Sequence, residues 1–285
     1  MNGNLLVVCL AGVTSVGAVV PGAWESFSTQ TNADAWTMYD DADGGLYFPG
    51  WSDGEDPFIG ATIQSDSIYL YADETVAAGA FTGDYAAAGV ESISMDVFLA
   101  DPLLIDYFDV AILADLGGQQ RYYFTDSFLG ESFAEPGWYA LEFSFREPWY
   151  YWDAAAGPDG AWVEAIMSAA ELSDVIEIGI TFFHVGSNTT VTDVGIDNVS
   201  LNHPLIRPEL AVNVTAGMAE LSFQPLAAHV YELEQFDVVT EGWTPVAGQT
   251  GILGTDPFSF TEPVTGTSLF RCVARPYYTE VVTDP

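Results

Sequence analysis

No lysine occurs anywhere in the 285 residues, and only five arginines stand against 41 aspartates and glutamates. The resulting formal charge of −36 excludes any generic affinity for nucleic acid, because phosphate recognition needs clustered Lys and Arg. It equally disfavours anionic membrane surfaces. Histidine is scarce as well: His184, His203 and His229 lie far apart, with no i,i+4 pair suited to zinc. The two cysteines are Cys9 and Cys272. If the apolar leader holding Cys9 is removed, no internal disulfide can form, and hydrophobic cores alone must hold the fold. Cys272, in LFRCVAR, has apolar neighbours and reads as an inert core thiol. No G-x-S-x-G nucleophile elbow occurs, nor the E-x-D-x-E run of jelly-roll glucanases. The arginines at 121, 146, 207, 271 and 275 are too scattered to neutralise a uronate, which argues against a polysaccharide lyase. These absences point away from an enzyme.

So one-sided a charge must be tolerated by the fold. Like charges repel, and salt shortens the range of that repulsion to about 10 Å at 0.1 M. Melting followed from low to molar NaCl should therefore show a rising melting temperature. A flat or falling one would count against a fold limited by repulsion.

Residues 5–20, LLVVCLAGVTSVGAVV, carry no charge. The run is short for a membrane span and suits the core of a signal peptide, with small residues at Val16-Gly17-Ala18 and a later alternative at Ala23. The expectation is a leader over 1–23, secretion or display at the cell surface, and no membrane insertion once the leader is gone. From Trp24 onward, runs such as ATIQSDSIYLYA, VESISMDVFLA, WYALEFSF and VIEIGITFFHV alternate apolar and polar residues or are β-branched throughout. Gly, Pro, Asp and Asn clusters separate them, and helices do not follow each strand, so an antiparallel sandwich is expected. AWVEAIMSAAEL, 161–172, breaks the pattern; Trp162, Ile166, Met167 and Ala170 have the spacing of a short amphipathic helix. The prolines of 202–208 mark a linker, 204–208, after a first domain of 24–203. About six short strands then form a small sandwich over 209–275, followed by a tail, 276–285.

Pro136-Gly137-Trp138-Tyr139, Trp152 and the closing Ile196-Asp197-Asn198-Val199-Ser200-Leu201 occur in an order found in jelly-roll modules of bacterial exported proteins. With Trp24-Glu25-Ser26-Phe27 as the opening, the first domain resembles the laminin type IV-like modules of the galactose-binding-like superfamily. Tyr231-Glu232-Leu233-Glu234, Gly242-Trp243-Thr244-Pro245 and Leu269-Phe270-Arg271-Cys272 resemble a small C-terminal accessory β-module. The resemblance implies an all-β chain: a jelly-roll β-sandwich plus a small β-sandwich module, the latter without catalytic residues. It also implies that Trp152 is a packing residue and that Glu25 and Asp197 are candidate ligands of a structural calcium. A turn or capping role for Asp197 is the alternative. Asp40-Asp41-Ala42-Asp43-Gly44 is a second acidic loop, short of a full calcium pattern.

Aromatic residues are the sharper functional signal. Pro148-Trp149-Tyr150-Tyr151-Trp152-Asp153 holds four in a row, and in a strand Trp149 and Tyr151 face one way, Tyr150 and Trp152 the other. Trp149 and Tyr151 are taken as an exposed sugar platform, with Trp51 in PGWSDGED as a further candidate; burial in a core is the competing reading for each. The functional expectation is non-catalytic recognition of an extracellular glycan or surface polymer. A structural or adhesive surface protein and a glycan-cleaving hydrolase are the alternatives.

Overall fold

A computed structural model describes residues 19–52, 57–64, 66–156, 160–186, 190–202, 210–215, 218–225, 229–237, 242–263 and 269–280. Most of the expected leader (1–18) and the expected linker (204–208) lie outside the described residues. No helix among the described residues is long and apolar enough to cross a membrane.

Alternation does most of the architectural work. Ile93, Met95, Val97 and Leu99 are buried along one face of a strand, while Ser94, Asp96 and Phe98 occupy the other. Two sheets built this way bring their apolar faces together. The first holds β1 (Ala23–Glu25), β4 (Gly50–Ser52), β5 (Phe58–Ile63), β7 (Ser92–Leu99), β11 (Gly137–Ser144), β15 (Thr192–Asn202) and β22 (Thr279–Glu280). Its main path runs β11-β7-β15-β1-β22, with β5 on β15 and β4 on β5. The second holds β2 (Thr37–Asp40), β3 (Gly45–Tyr47), β6 (Ser67–Asp73), β8 (Ile105–Asp115), β9 (Gln120–Phe124), β10 (Phe128–Leu129), β12 (Pro148–Asp153), β13 (Ala161–Ile166) and β14 (Val175–His184). Its path is β13-β12-β9-β8-β14-β6-β2-β3, with β10 on β8. One continuous core, from Phe27 and Trp36 to Trp149, Phe182 and Leu201, fills the space between the sheets.

Beyond residue 209 come two three-stranded sheets. One is β16 (Ala211–Thr215), β17 (Met218–Phe223) and β20 (Phe258–Pro263); the other is β18 (His229–Asp237), β19 (Gly242–Pro245) and β21 (Phe270–Pro276). They close on small cores of their own, Leu221 with Leu233 and Val246, and Phe223 with Tyr231 and Ala274. Cys272 packs against the second of these, and burial pushes its thiol up to about 11. The fold is thus all-β, a jelly-roll sandwich followed by a small β-sandwich module.

Two expectations are corrected. Residues 161–166 form a strand paired along its whole length with β12, not the start of a helix, and a turn follows. Trp162, Glu164 and Ile166 point to solvent while Ala161, Val163 and Ala165 are half-buried, the two-residue period of a one-sided edge strand. The expected tail also contributes structure: Thr279 and Glu280 pair in parallel with Ala23 and Trp24.

Candidate functional site

Residues 148–153 do line the most aromatic face of the molecule, but through the opposite pair from the one expected. Trp149 is 1% exposed, donates its indole N–H to the Ser144 carbonyl at 3.0 Å and packs on Phe145. Tyr151 is half-buried against the same core, with the Arg121 guanidinium 4.3 Å from its ring centre. The cause is pairing on both sides: β12 lies between β9 and β13, so one of its faces must close the core, and that face carries Trp149. Trp152, expected in the core, is 40% exposed and Trp162 opposite it is 53% exposed.

From this pair the outer face of the second sheet runs inward as a row of rings. Trp152 meets Trp162 edge-on at 5.6 Å, Trp162 meets Phe124 at 5.7 Å, and Phe124 stacks with Tyr122 at 5.9 Å. Register explains the alignment: Glu164, Tyr150, Phe124, Ala111, Gly179 and Tyr71 stand opposite one another across β13, β12, β9, β8, β14 and β6. Six strands place the ends of that row about 24 Å apart. Two glycines make room for the rings. A Cβ on Gly160, at φ +72, would come within 2.5 Å of Trp152. A Cβ on Gly179 would come within 2.5 Å of the Tyr69 ring, which lies across it.

Polar groups sit at the inner end. Glu177 accepts hydrogen bonds from Tyr69 at 2.8 Å and Tyr122 at 3.0 Å, so hydroxyls from both flanks converge on one carboxylate. Burial raises Glu177 to about 7 against the opposing pull of those two donors. Asp109, opposite Thr181 on the same face, is also raised to about 7 by burial, and its Oδ1 has no hydrogen-bond partner. Tyr107 stacks on Phe183 beside it at 4.1 Å. Among the described residues the nearest arginine, Arg121, lies toward the core side of the sheet, where it reaches Glu171 at 4.0 Å and the Tyr151 ring at 4.3 Å. The face therefore offers flat apolar rings, tyrosine hydroxyls and carboxylate acceptors.

The raised carboxylates give a pH dependence. Glu177 binds its proton more tightly folded, at about 7, than its ordinary 4.5, so its contribution to stability is complete below 4.5 and falls as pH rises through 7. Wild-type melting temperature should drop between pH 5 and pH 8, and Glu177→Gln should flatten the drop. Equal slopes for the two proteins would remove Glu177 as a cause.

The remaining expected site residues lie elsewhere. Trp51 is half-buried against the core and donates its indole N–H to the Phe27 carbonyl at 3.0 Å. Glu25, fully buried, accepts from the Phe27 backbone N–H at 2.8 Å, and the Asn32 Nδ2 donates to both of its carboxylate oxygens at 2.8 and 3.0 Å. These contacts tie β1 to the short helix α1 (Gln30–Ala35). Register separates Glu25 from Asp197: Glu25 stands opposite the core residue Val199, whereas Asp197 stands opposite Asp96, on the face turned from the core. Among the described residues no three His, Cys, Asp or Glu side chains gather as a metal-ligand group.

No family model matches this chain, and no curated protein does. Among solved structures, the L4b domain of human laminin alpha-2 aligns at a TM-score of 0.42 and 14% identity, covering 64% of this chain and 97% of that one. The family 11 carbohydrate-binding module from Clostridium thermocellum, in complex with a β-1,3-1,4-mixed-linked tetrasaccharide, aligns at 0.37 and 13%, covering 59% and 95%. A β-1,2-glucanase from Parabacteroides distasonis aligns at 0.33 and 11% over 86% of this chain, and the chain spans only 36% of that enzyme.

Proposed function

We propose that this chain is an exported, non-catalytic recognition module that holds a neutral extracellular glycan, or a surface polymer of similar chemistry, against the outer face of its second sheet. The observation that carries the reading is the row Trp152–Trp162–Phe124–Tyr122, which leaves exposed rings at one end and leads to the Tyr69–Glu177–Tyr122 junction at the other. Flat rings stack on the apolar faces of sugar rings, and carboxylates accept hydrogen bonds from hydroxyls. A face whose described residues offer acceptors and no cation repels uronates and sulfated chains, so the ligand is neutral. On this face, the spacing of Asp109 and Glu177 favours binding over cleavage. Thr181, opposite Asp109, is four residues from Glu177 along β14, roughly 13 Å of strand. Carboxyl pairs that cleave glycosides stand about 5–9.5 Å apart. The uncharged run 5–20 supports export.

Affinity electrophoresis through gels containing neutral or anionic polysaccharides tests this. Neutral polymers should retard the protein and anionic ones should not. Retardation by anionic polymers alone would overturn the reading. Running each gel with calcium and with EDTA also tests whether the calcium expected at Glu25 or Asp197 takes part.

A further inference from the structure

The first sheet also carries a site on its outer face, on the opposite side of the molecule from the aromatic row. A cavity of about 440 Å³ opens there over β7, β11, β15 and β1, walled by Trp24 and by Tyr278 from the chain's last described segment. A hydrogen-bond network joins its lining to the neighbouring Asn202 and Ser92. Asn202 Oδ1 accepts from Ser200 at 3.2 Å, Tyr278 at 3.2 Å and Ser94 at 3.5 Å, and its amide donates to Ser92 at 3.2 Å. Ser92 in turn donates to Glu142 Oε1 at 2.5 Å. On the Trp24 side, Asn198 accepts from the indole N–H at 3.1 Å and donates to Asp96 Oδ2 at 2.9 Å.

Once those bonds are made, the hydroxyls and amides of this network are occupied with one another. The second oxygens of Asp96 and Glu142 accept nothing among the described residues. Glu142 stands opposite Ser94, two residues from Asp96, so the two carboxylates are diagonal neighbours about 7–8 Å apart at their Cα atoms. Among the described residues no Lys, Arg or His lines the cavity. Two unneutralised acceptors between a Trp and a Tyr ring, in a molecule of charge −36, match a ligand that only donates and is positive.

We infer that this cavity binds a protonated amine, held between Asp96 and Glu142 and covered by Trp24 and Tyr278. Such an ammonium could be carried by an amino sugar or by an aliphatic polyamine. Because β22 pairs with β1 beside Trp24, the C-terminal segment supplies one wall, and the site is complete only in the full chain. The site is separate from the aromatic row and does not depend on it.

The test is calorimetric titration of the full chain with glucosamine, N-acetylglucosamine and putrescine. Glucosamine should bind at least tenfold more tightly than N-acetylglucosamine, which keeps the ring but loses the charge. Putrescine binding as well as glucosamine would make the ammonium alone sufficient; putrescine failing while glucosamine binds would make the source an amino sugar. The near-isosteric pair Asp96→Asn with Glu142→Gln should weaken amine binding at least tenfold, and Tyr278→Ala should weaken it with the fold intact. Equal affinity for glucosamine and N-acetylglucosamine, no binding of either amine, or full binding by the double carboxylate variant would each overturn the inference.

Discussion

Replacing Trp152 and Trp162 together with Ala should abolish retention on neutral polysaccharide while lowering stability only slightly. Both rings are exposed, at 40% and 53%, and their main partners are each other, Phe124 and Gly160. An exposed edge-to-face pair is worth about 0.5–1.5 kcal/mol, so the melting temperature should shift by a few degrees. Stacking on a ligand, by contrast, is lost entirely with the rings. Binding measured alongside thermal melting separates the two effects. A stable double variant that still binds would remove the row from function, and a variant that unfolds would make it part of the core.

Trp149→Ala should do the reverse. This indole is 1% exposed, packs on Phe145 and satisfies its N–H on the Ser144 carbonyl. Removing it leaves a cavity in the core, a loss of about 3–5 kcal/mol, while the Ser144 carbonyl keeps the Glu147 backbone N–H at 3.3 Å. For a protein of ordinary marginal stability that is a large share of the total. Chemical denaturation should show a lower midpoint with an unchanged slope, and at concentrations where the variant remains folded its glycan affinity should match wild type. A wild-type midpoint would mean that Trp149 does not close the core.

These two variants also show where the sequence was legible. The segment 148–153 stood out because four successive aromatics are rare, and it does line the aromatic face. Its parity could not be read, because Trp and Tyr alternate on both sides and either pair could serve as core. The deciding fact is non-local: β12 is flanked by β9 and β13. β13 itself was hidden by alanines, since Trp162, Ile166 and Ala170 fit a helical spacing as well as Trp162, Glu164 and Ile166 fit a strand. Glu177 was concealed differently, as one carboxylate inside the apolar run VIEIGITF, and nothing local reports that Tyr69 and Tyr122 will converge on it. Tyr69 and Tyr71 in SIYLYA did carry a usable signal: Ile68, Leu70 and Ala72 are buried and the tyrosines between them form the outer face. The parallel pairing of Thr279–Glu280 with β1 left no mark at all, because strands more than 250 residues apart share no turn or pattern. The all-β architecture was plain throughout, because alternating strands and the want of intervening helices are local properties.

A crystal structure of the full chain grown with a neutral oligosaccharide that retards it in gels would test the central claim most directly. Density for sugar rings stacked on Trp152 and Trp162, with hydroxyls near Glu177 or Asp109, is the predicted result. Sugar bound elsewhere with the aromatic row bare would contradict the account.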